Sequence, residues 1–374
     1  MATDIHGTCD RRFEPVREAF LANFAAGDEV GAAVAVTVDG EFAVDLWGGH
    51  TDAARTEPWK DDTLVNVWSC TKAMTALCAH ILVDRGQLNV NQPIAHYWPE
   101  FAANGKAGTL VSHALSHQAG LPDFEGESTF EQTIDWEWTT YNLANATPVW
   151  PAGSQLAYHA VTFGTLVGEI VRRISGKSLG TFFRDEVAQP LGADFHIGLP
   201  ESEHARVAPI LPFDDAREFD LDFVNTPAAR SAEIPAGNGH GNAHAMARVM
   251  SLLANGGELD GVRLLSRATI EAAIVSQVQA MDGTIGRPYS RALGFTLMSP
   301  DLAEPMGLPS AFYDDSTTAP RIFGHDGMGG AQVFCDIDRN IAWSYTMNNM
   351  TGAEGCNERV ARLMQALTPC IAAE

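Results

Sequence analysis

Residues 32–47 read "AAVAVTVDGEFAVDLW", and this stretch decides the fold. Two runs of β-branched and small apolar residues flank Asp39-Gly40. An Asp-Gly link of two residues between such runs is a strong hairpin signal, because the tight turn needs backbone with positive φ. The same grammar returns near the other end. "AQVFCDI" (331–337) is followed by Asp338-Arg339-Asn340 and then "IAWSYTM" (341–347), and "ALGFTLM" (292–298) reads as a further strand. The final stretch, roughly 354–368, reads as helix. The middle of the chain has a different period. Met74, Leu77, Cys78, Ile81 and Leu82 fall at helical spacing over 70–85, and Gly86 is placed to end that helix. Residues 161–175 and 243–255 also read as helices, the latter with Asn242 as its N-cap. Strands come from both ends and helices mostly from between them. The expected fold class is therefore α/β (α+β), an antiparallel β-sheet flanked by helices and built from both termini, with an inserted, mainly helical domain. The expected division is 1–67 with 290–374 as the sheet domain and 68–289 as the helical one.

The 374 residues are 45% hydrophobic and 19% charged, a globular composition. There are 47 acidic against 24 basic residues, a formal charge of −23. That balance argues against nucleic acid or an anionic membrane surface as a partner, since phosphate binding needs clustered Lys and Arg. No apolar run is long enough to span a bilayer. The first twenty residues, "MATDIHGTCDRRFEPVREAF", carry several charges and show no apolar signal-peptide core. Cys9, Cys70, Cys78, Cys335, Cys356 and Cys370 are scattered, with no Cys-x-x-Cys pair. Neither a zinc site nor a disulfide framework is signalled, and a reduced, cytoplasmic setting is expected. No cofactor is expected, and the sequence does not address oligomeric state.

Only four lysines occur, Lys60, Lys72, Lys106 and Lys177, and only Lys72 has a serine three positions before it, in "WSCTK" (68–72). On a helix, positions i and i+3 share a face, so Ser69 and Lys72 point the same way. A serine hydroxyl is a poor nucleophile until a neighbour takes its proton or stabilises its alkoxide, and a lysine held close can do either. The free N–H groups and partial positive charge of a helix N-terminus favour an oxyanion there. The plain reading is a capping serine and a solvated lysine. Two further stretches weigh against it. Tyr158 lies in "PAGSQLAYHAVTFGTLVGEI" (151–170), after a Pro-Gly-Ser loop and before a helix. His325-Asp326-Gly327 enters a strand through several glycines in "GHDGMGGAQVFCD" (324–336).

Ser-x-x-Lys, a Tyr motif about ninety residues on, and a His-x-Gly entering a C-terminal strand together resemble the serine β-lactamase and penicillin-binding superfamily. The chain is similar to its branch of class C β-lactamases and family VIII carboxylesterases. "ALSHQAGLPDF" (114–124) and "NGHGNAHAMARVMSLLANGGELDGVRLLS" (238–266) also match family segments. The likeness runs from about residue 30 to 350.

The resemblance implies a β-lactamase/DD-peptidase-like fold with the active site at the interface of the two domains. It implies a serine hydrolase in which Ser69 forms an acyl-enzyme and Lys72 and Tyr158 form the base system. A lysine ammonium there lowers the phenol's pKa from about 10, which lets a phenolate take the Ser69 proton, and the sequence leaves open which of Lys72 and Tyr158 is the base. The oxyanion hole is expected from the backbone N–H groups of Ser69 and Met328. His325, Gly327, Trp68, His159, His240 and Trp150 are the expected substrate-binding residues, each of the last four with a plain packing role as its alternative. Two departures bear on substrate. Lactamases of this branch read Tyr-x-Asn where this chain has Tyr158-His159-Ala160, and Lys-Thr-Gly where it has His325-Asp326-Gly327. The missing amide is one that bonds an acylamino side chain, and a histidine is mostly neutral near pH 7 where a lysine offers a fixed charge. The expected substrate is therefore a small ester with a short acyl chain. The alternatives are a β-lactamase or D-Ala-D-Ala peptidase, an amide hydrolase or acyltransferase on the same three residues, and a binding protein without catalysis. His113 and His117 stand at i and i+4, but no third metal ligand accompanies them. Cys70 reads as a small buried filler, and "FDDAREFDLDF" (213–223) as a solvated surface loop near the cleft.

Overall fold

The hairpin of residues 32–47 is the seam at which the two ends of the chain meet. In the computed structural model, which describes residues 3–212, 221–299, 321–350 and 357–371, nine strands form one sheet. Strands β1 (Ile5–Cys9), β2 (Gly31–Val38) and β3 (Glu41–Gly49) come from the N-terminal end. Strands β4 (Val278–Met281), β5 (Pro288–Arg291), β6 (Thr296–Leu297), β7 (Ile322–Asp326), β8 (Gln332–Asp336) and β9 (Ile341–Met347) come from the C-terminal part. Their order is β1-β3-β2-β9-β8-β7-β6-β5-β4, antiparallel at each pairing. The joint is β2 with β9, from Val38 opposite Ile341 to Ala32 opposite Met347. Asp39 and Gly40 turn at φ 50° and 92°, as a two-residue primed turn requires. The second turn clasps the first: Asp39 N–H donates to Asn340 O at 2.9 Å, and the Asn340 amide donates to Asp39 Oδ1 at 2.9 Å.

Five helices frame the site: α1 (Glu14–Ala26), α2 (Thr71–Asp84), α3 (Thr162–Ser175), α4 (Ala243–Ala254) and α5 (Glu358–Ile371). The alternation of β2 assigns its two faces. Ala32, Val34 and Val36 join the large core that holds Phe20 and Phe24 of α1 and Val360 and Leu363 of α5. Ala33 and Ala35 meet Ala243 and Ala247 of α4. Alanine on both sides lets α4 lie close, and Ser344 of β9 donates to Ala243 O at 2.5 Å on that face. Helix α2 is buried on every side from Thr71 to Leu82, enclosed by α3, other helical segments and β7. It is a central helix and not one with a single apolar stripe, so the groups at its N-terminus sit in the interior. Among the described residues no helix is long and apolar enough to cross a membrane.

Three details differ from the sequence reading. The sheet already begins at Val278, and α4 packs on β2, β8 and β9, so parts of 68–289 belong to the sheet layers. The strand expected over 292–298 shrinks to Thr296–Leu297. Gly294, at φ 89°, turns the chain so tightly onto α2 that a Cβ there would lie 2.4 Å from that of Ala76. The C-terminal helix begins at Glu358 and runs on to Ile371. Residues 354–356 of that reading, and most of the acidic stretch 213–223, lie outside the described residues.

Candidate active site

Ser69 lies in a single 3-10 turn, Trp68–Cys70, that leads into α2. The entry to this turn is fixed from outside the helix. Val67 N–H donates to Gly239 O at 2.9 Å and Trp68 N–H to Asn66 Oδ1 at 2.8 Å. The Thr71 hydroxyl donates to Trp68 O at 2.5 Å and accepts from Gly239 N–H at 2.8 Å. Trp68 is held at φ 49°, left-handed backbone that is costly for a bulky residue. That strain sits directly before the serine. Gly327, at the end of β7, presses on the same turn: a Cβ on it would lie 2.5 Å from Val67 O and 3.3 Å from Cys70 Sγ.

Lys72 is fully buried. Its Nζ donates to Ala160 O at 2.7 Å and Ala236 O at 2.8 Å, and lies 3.1 Å from Ser69 Oγ. Burial, helped by the charge of Arg291, holds its pKa well below the ordinary lysine value. A neutral amine has two N–H donors and one lone pair. With two directions taken by the carbonyls, the third points at Ser69 Oγ, as an N–H of the ammonium or as the lone pair of the amine.

Tyr158 donates its hydroxyl to Ser69 Oγ at 2.6 Å. Burial raises its phenol against the pull of Arg291. Desolvation thus disfavours the charged form of both groups, the Lys72 ammonium and the Tyr158 phenolate. Two features hold the Tyr158 loop. Asp282, itself buried, accepts from Tyr158 N–H at 2.9 Å and from Thr284 and Ile285 N–H at 2.9 and 3.1 Å. Two histidines latch the other side: His159 N–H donates to His117 Nδ1 at 3.0 Å, and Leu121 N–H donates to His159 Nε2 at 3.1 Å.

Ser69, Tyr158, Ile285, Tyr289, Arg291, Asp326 and Met328 line a small cavity that opens to solvent. Met328 sits on a turn closed by Gly327 N–H to Ala331 O at 2.7 Å and Gly330 N–H to Gly327 O at 3.2 Å. Arg359 of α5 donates to Gly329 O at 2.8 Å and to the Glu29 carboxylate at 3.0 Å, so a buried ion pair braces this turn from behind.

The cavity thus brings together Ser69, Tyr158 and Met328, with Lys72 buried behind the serine. His325 stands behind Tyr158, ring centroids 6.0 Å apart. Its Nδ1 is 2.7 Å from Asp326 O, and burial lowers its pKa well below the ordinary value. Its neighbour Asp326 is the residue that lines the cavity. All six expected substrate contacts, His325 and Gly327 included, lie outside that lining. Both ring nitrogens of His159 are committed to backbone, Nδ1 at 2.6 Å from Ala157 O, and burial takes its pKa down to about 4. His240 is buried in a small sheet between Val65–Asn66 and Phe195–His196. Trp68 packs on the core, and Trp150 runs beside Gly120. His113 and His117 make no metal pair: His113 Nδ1 accepts from Leu110 N–H at 3.2 Å, and His117 has left the helix at φ 60°. Among the described residues no group of three His, Cys, Asp or Glu side chains is placed to hold a metal ion. The sequence reading missed Asp282, Ile285, Tyr289 and Arg291. The one signal for them was Asp282-Gly283, a turn dipeptide between short runs.

The fold, with a serine at the mouth of a cavity between sheet and helices, defines a serine hydrolase. The chain belongs to the beta-lactamase family, whose model matches residues 17–367. Among solved structures it is similar to a family VIII carboxylesterase, with 38% identity and a TM-score of 0.90 over 98% of this chain and 100% of that one. It is also similar to a penicillin-binding protein homologue from Caulobacter crescentus, with 40% identity and a TM-score of 0.88 over 98% and 100% of the two chains. The esterase/beta-lactamase LipL of Mycobacterium tuberculosis is 35% identical over 377 residues, 92% of this chain and 83% of that protein.

Proposed function

We propose that the protein is a carboxylesterase that hydrolyses small, short-acyl esters through a Ser69 acyl-enzyme. The observation that carries this is the chain Tyr158 Oη–Ser69 Oγ–Lys72 Nζ, with links of 2.6 and 3.1 Å, at the wall of an open cavity. Ser69 Oγ attacks the ester carbonyl and passes its proton to the Lys72 amine. The ammonium formed already has carbonyl acceptors at Ala160 and Ala236. The Ser69 and Met328 N–H groups receive the oxyanion, a preorganised pair of donors of the kind that is worth several kcal/mol in acyl transfer. Lys72 then returns the proton to the leaving alcohol, by way of the Tyr158 hydroxyl, and the same groups activate water for deacylation.

Ester in place of lactam is supported by two side chains. Ala160 stands exposed where an amide would bond an acylamino group, and the neutral, buried His325 offers no charge to a lactam carboxylate. The name of one similar protein, a family VIII carboxylesterase, points the same way. The test is hydrolysis of p-nitrophenyl butyrate and of a chromogenic cephalosporin, in the wild type and in Ser69→Ala. Ester turnover that disappears in the variant, with little cephalosporin turnover, is the expected result. Rapid cephalosporin turnover would replace this reading with a lactamase.

A further inference from the structure

Arg291, the last residue of β5, is only 2% exposed and yet lines the cavity. Its Nη1 donates to the Thr296 hydroxyl, and its Nε has no hydrogen-bond partner. Its guanidinium carbon lies 5.1 Å from the centre of the Tyr158 ring and 4.3 Å from that of Tyr289. Among the described residues no carboxylate pairs with it. The other deeply buried arginine, Arg359, is bonded to Glu29 at 3.0 Å. A buried cation without a counter-charge is costly, and this one stands against the face of the tyrosine that touches Ser69.

We propose that Arg291 is a positioning residue for the Ser69–Lys72–Tyr158 chain: its guanidinium lies 5.1 Å and Lys72 Nζ 4.7 Å from the centre of the same Tyr158 ring, so the fixed charge of Arg291 backs the tyrosine and opposes a second charge at Lys72. The inference rests on the reading of those three residues as the reacting groups. The groups that face them are few. Cys70 lies in the same turn as Ser69, Asp326 comes from β7, Tyr289 from β5, and Asp282 bonds the Tyr158 backbone. His117, His159 and His325 are held uncharged by burial. Arg291 is therefore the cation around the chain, and Asp326 and Asp282 are the carboxylates. The charge of Arg291 pushes Lys72 down and that of Asp326 pulls it up.

The experiment is the rate of Ser69 labelling by a fluorophosphonate as a function of pH, in wild type, Arg291→Met and Arg291→Lys. This probe reads the nucleophile without assuming a substrate. Losing the positive charge lets Lys72 hold its proton to higher pH. The acid limb of the Arg291→Met profile should therefore move up by about one unit or more. Labelling on that limb should then fall about tenfold at fixed pH. Arg291→Lys, which keeps the charge, should stay near the wild-type limb. Arg291→Gln serves if the methionine variant does not fold. A lower plateau with an unmoved limb would mean that Arg291 only packs against Tyr158, and would overturn the proposal. A moved limb in an enzyme that ignores p-nitrophenyl butyrate would sink the ester reading and leave this one. Absence of labelling in the wild type would overturn both.

Discussion

Lys72 and Lys106 are both fully buried, and both donate from Nζ to backbone carbonyls. Lys106 Nζ bonds Ala103 O at 2.9 Å and also Ala146 O, and lies 5.3 Å from the Phe101 ring centre. Burial lowers the pKa of each. The difference is the third direction. At Lys72 it meets a serine hydroxyl that also accepts from Tyr158; at Lys106 the bonds simply tie 103–106 to the end of the helix Trp136–Asn145. On the proposed reading, burial and carbonyl capture make a base only where a hydroxyl occupies the remaining position.

The largest effects should separate these two sites. Ser69→Ala and Lys72→Met are each expected to lower kcat/KM for p-nitrophenyl butyrate by about 10⁴-fold or more, as losing one member of a concerted set does. Lys106→Met should leave kcat/KM within about threefold while costing about 1–3 kcal/mol of stability in denaturant titration, because two buried carbonyls lose a donor. A Lys106 variant as inactive as Lys72→Met would end the distinction.

The pH profile sharpens it. If Lys72 rests as an amine, kcat/KM rises with pH as the residual ammonium loses its proton. Because its pKa is depressed, that rise should be complete well below the ordinary lysine value of 10.5. A limb at the ordinary value would mean that Lys72 carries its proton at rest and that the phenolate arrangement first expected is the correct one.

Much of this was legible in the sequence, for physical reasons that differ by element. The β2–β3 and β8–β9 hairpins could be read because Asp39-Gly40 and Asn340 answer to local backbone demands. Helix α2 could be read from its apolar spacing, although not its burial on all sides, which depends on segments far away in the chain. Ser69, Lys72 and Tyr158 stood out through a motif. Arg291 did not, because nothing local distinguishes a buried arginine in "PYSRALGF" from an exposed one on an edge strand. His159 looked like a pocket residue because it adjoins Tyr158, and His240 because it lies between two glycines; only the structure shows that backbone groups occupy the ring of His159 and that His240 is buried in a small sheet.

Asp282 tests how much of the Lys72 site depends on support that motifs do not reveal. Its Oδ1 gathers three N–H groups, that of Tyr158 among them. Asp282→Ala should free the Tyr158 loop and lower kcat about tenfold to a hundredfold, the cost of a small misplacement of a reacting group. Asp282→Asn keeps an acceptor and should lose much less. Equal losses in the two variants would shift the explanation from geometry to charge.

The smallest effect concerns the carbonyl partner of Lys72 itself. Ala160 contributes only its backbone oxygen, and its side chain is exposed. Ala160→Asn should therefore leave the Lys72 bond and the ester rate nearly unchanged. It adds an amide at the position where lactamases of this branch carry one. A single new hydrogen bond of about 1 kcal/mol corresponds to roughly fivefold in cephalosporin turnover. An increase of that size, with ester hydrolysis intact, would show that the amide position tunes substrate choice while the lysine site supplies the chemistry. A loss of ester turnover instead would mean that residue 160 acts on Lys72 through more than its carbonyl, and that the third direction is not the only thing separating Lys72 from Lys106.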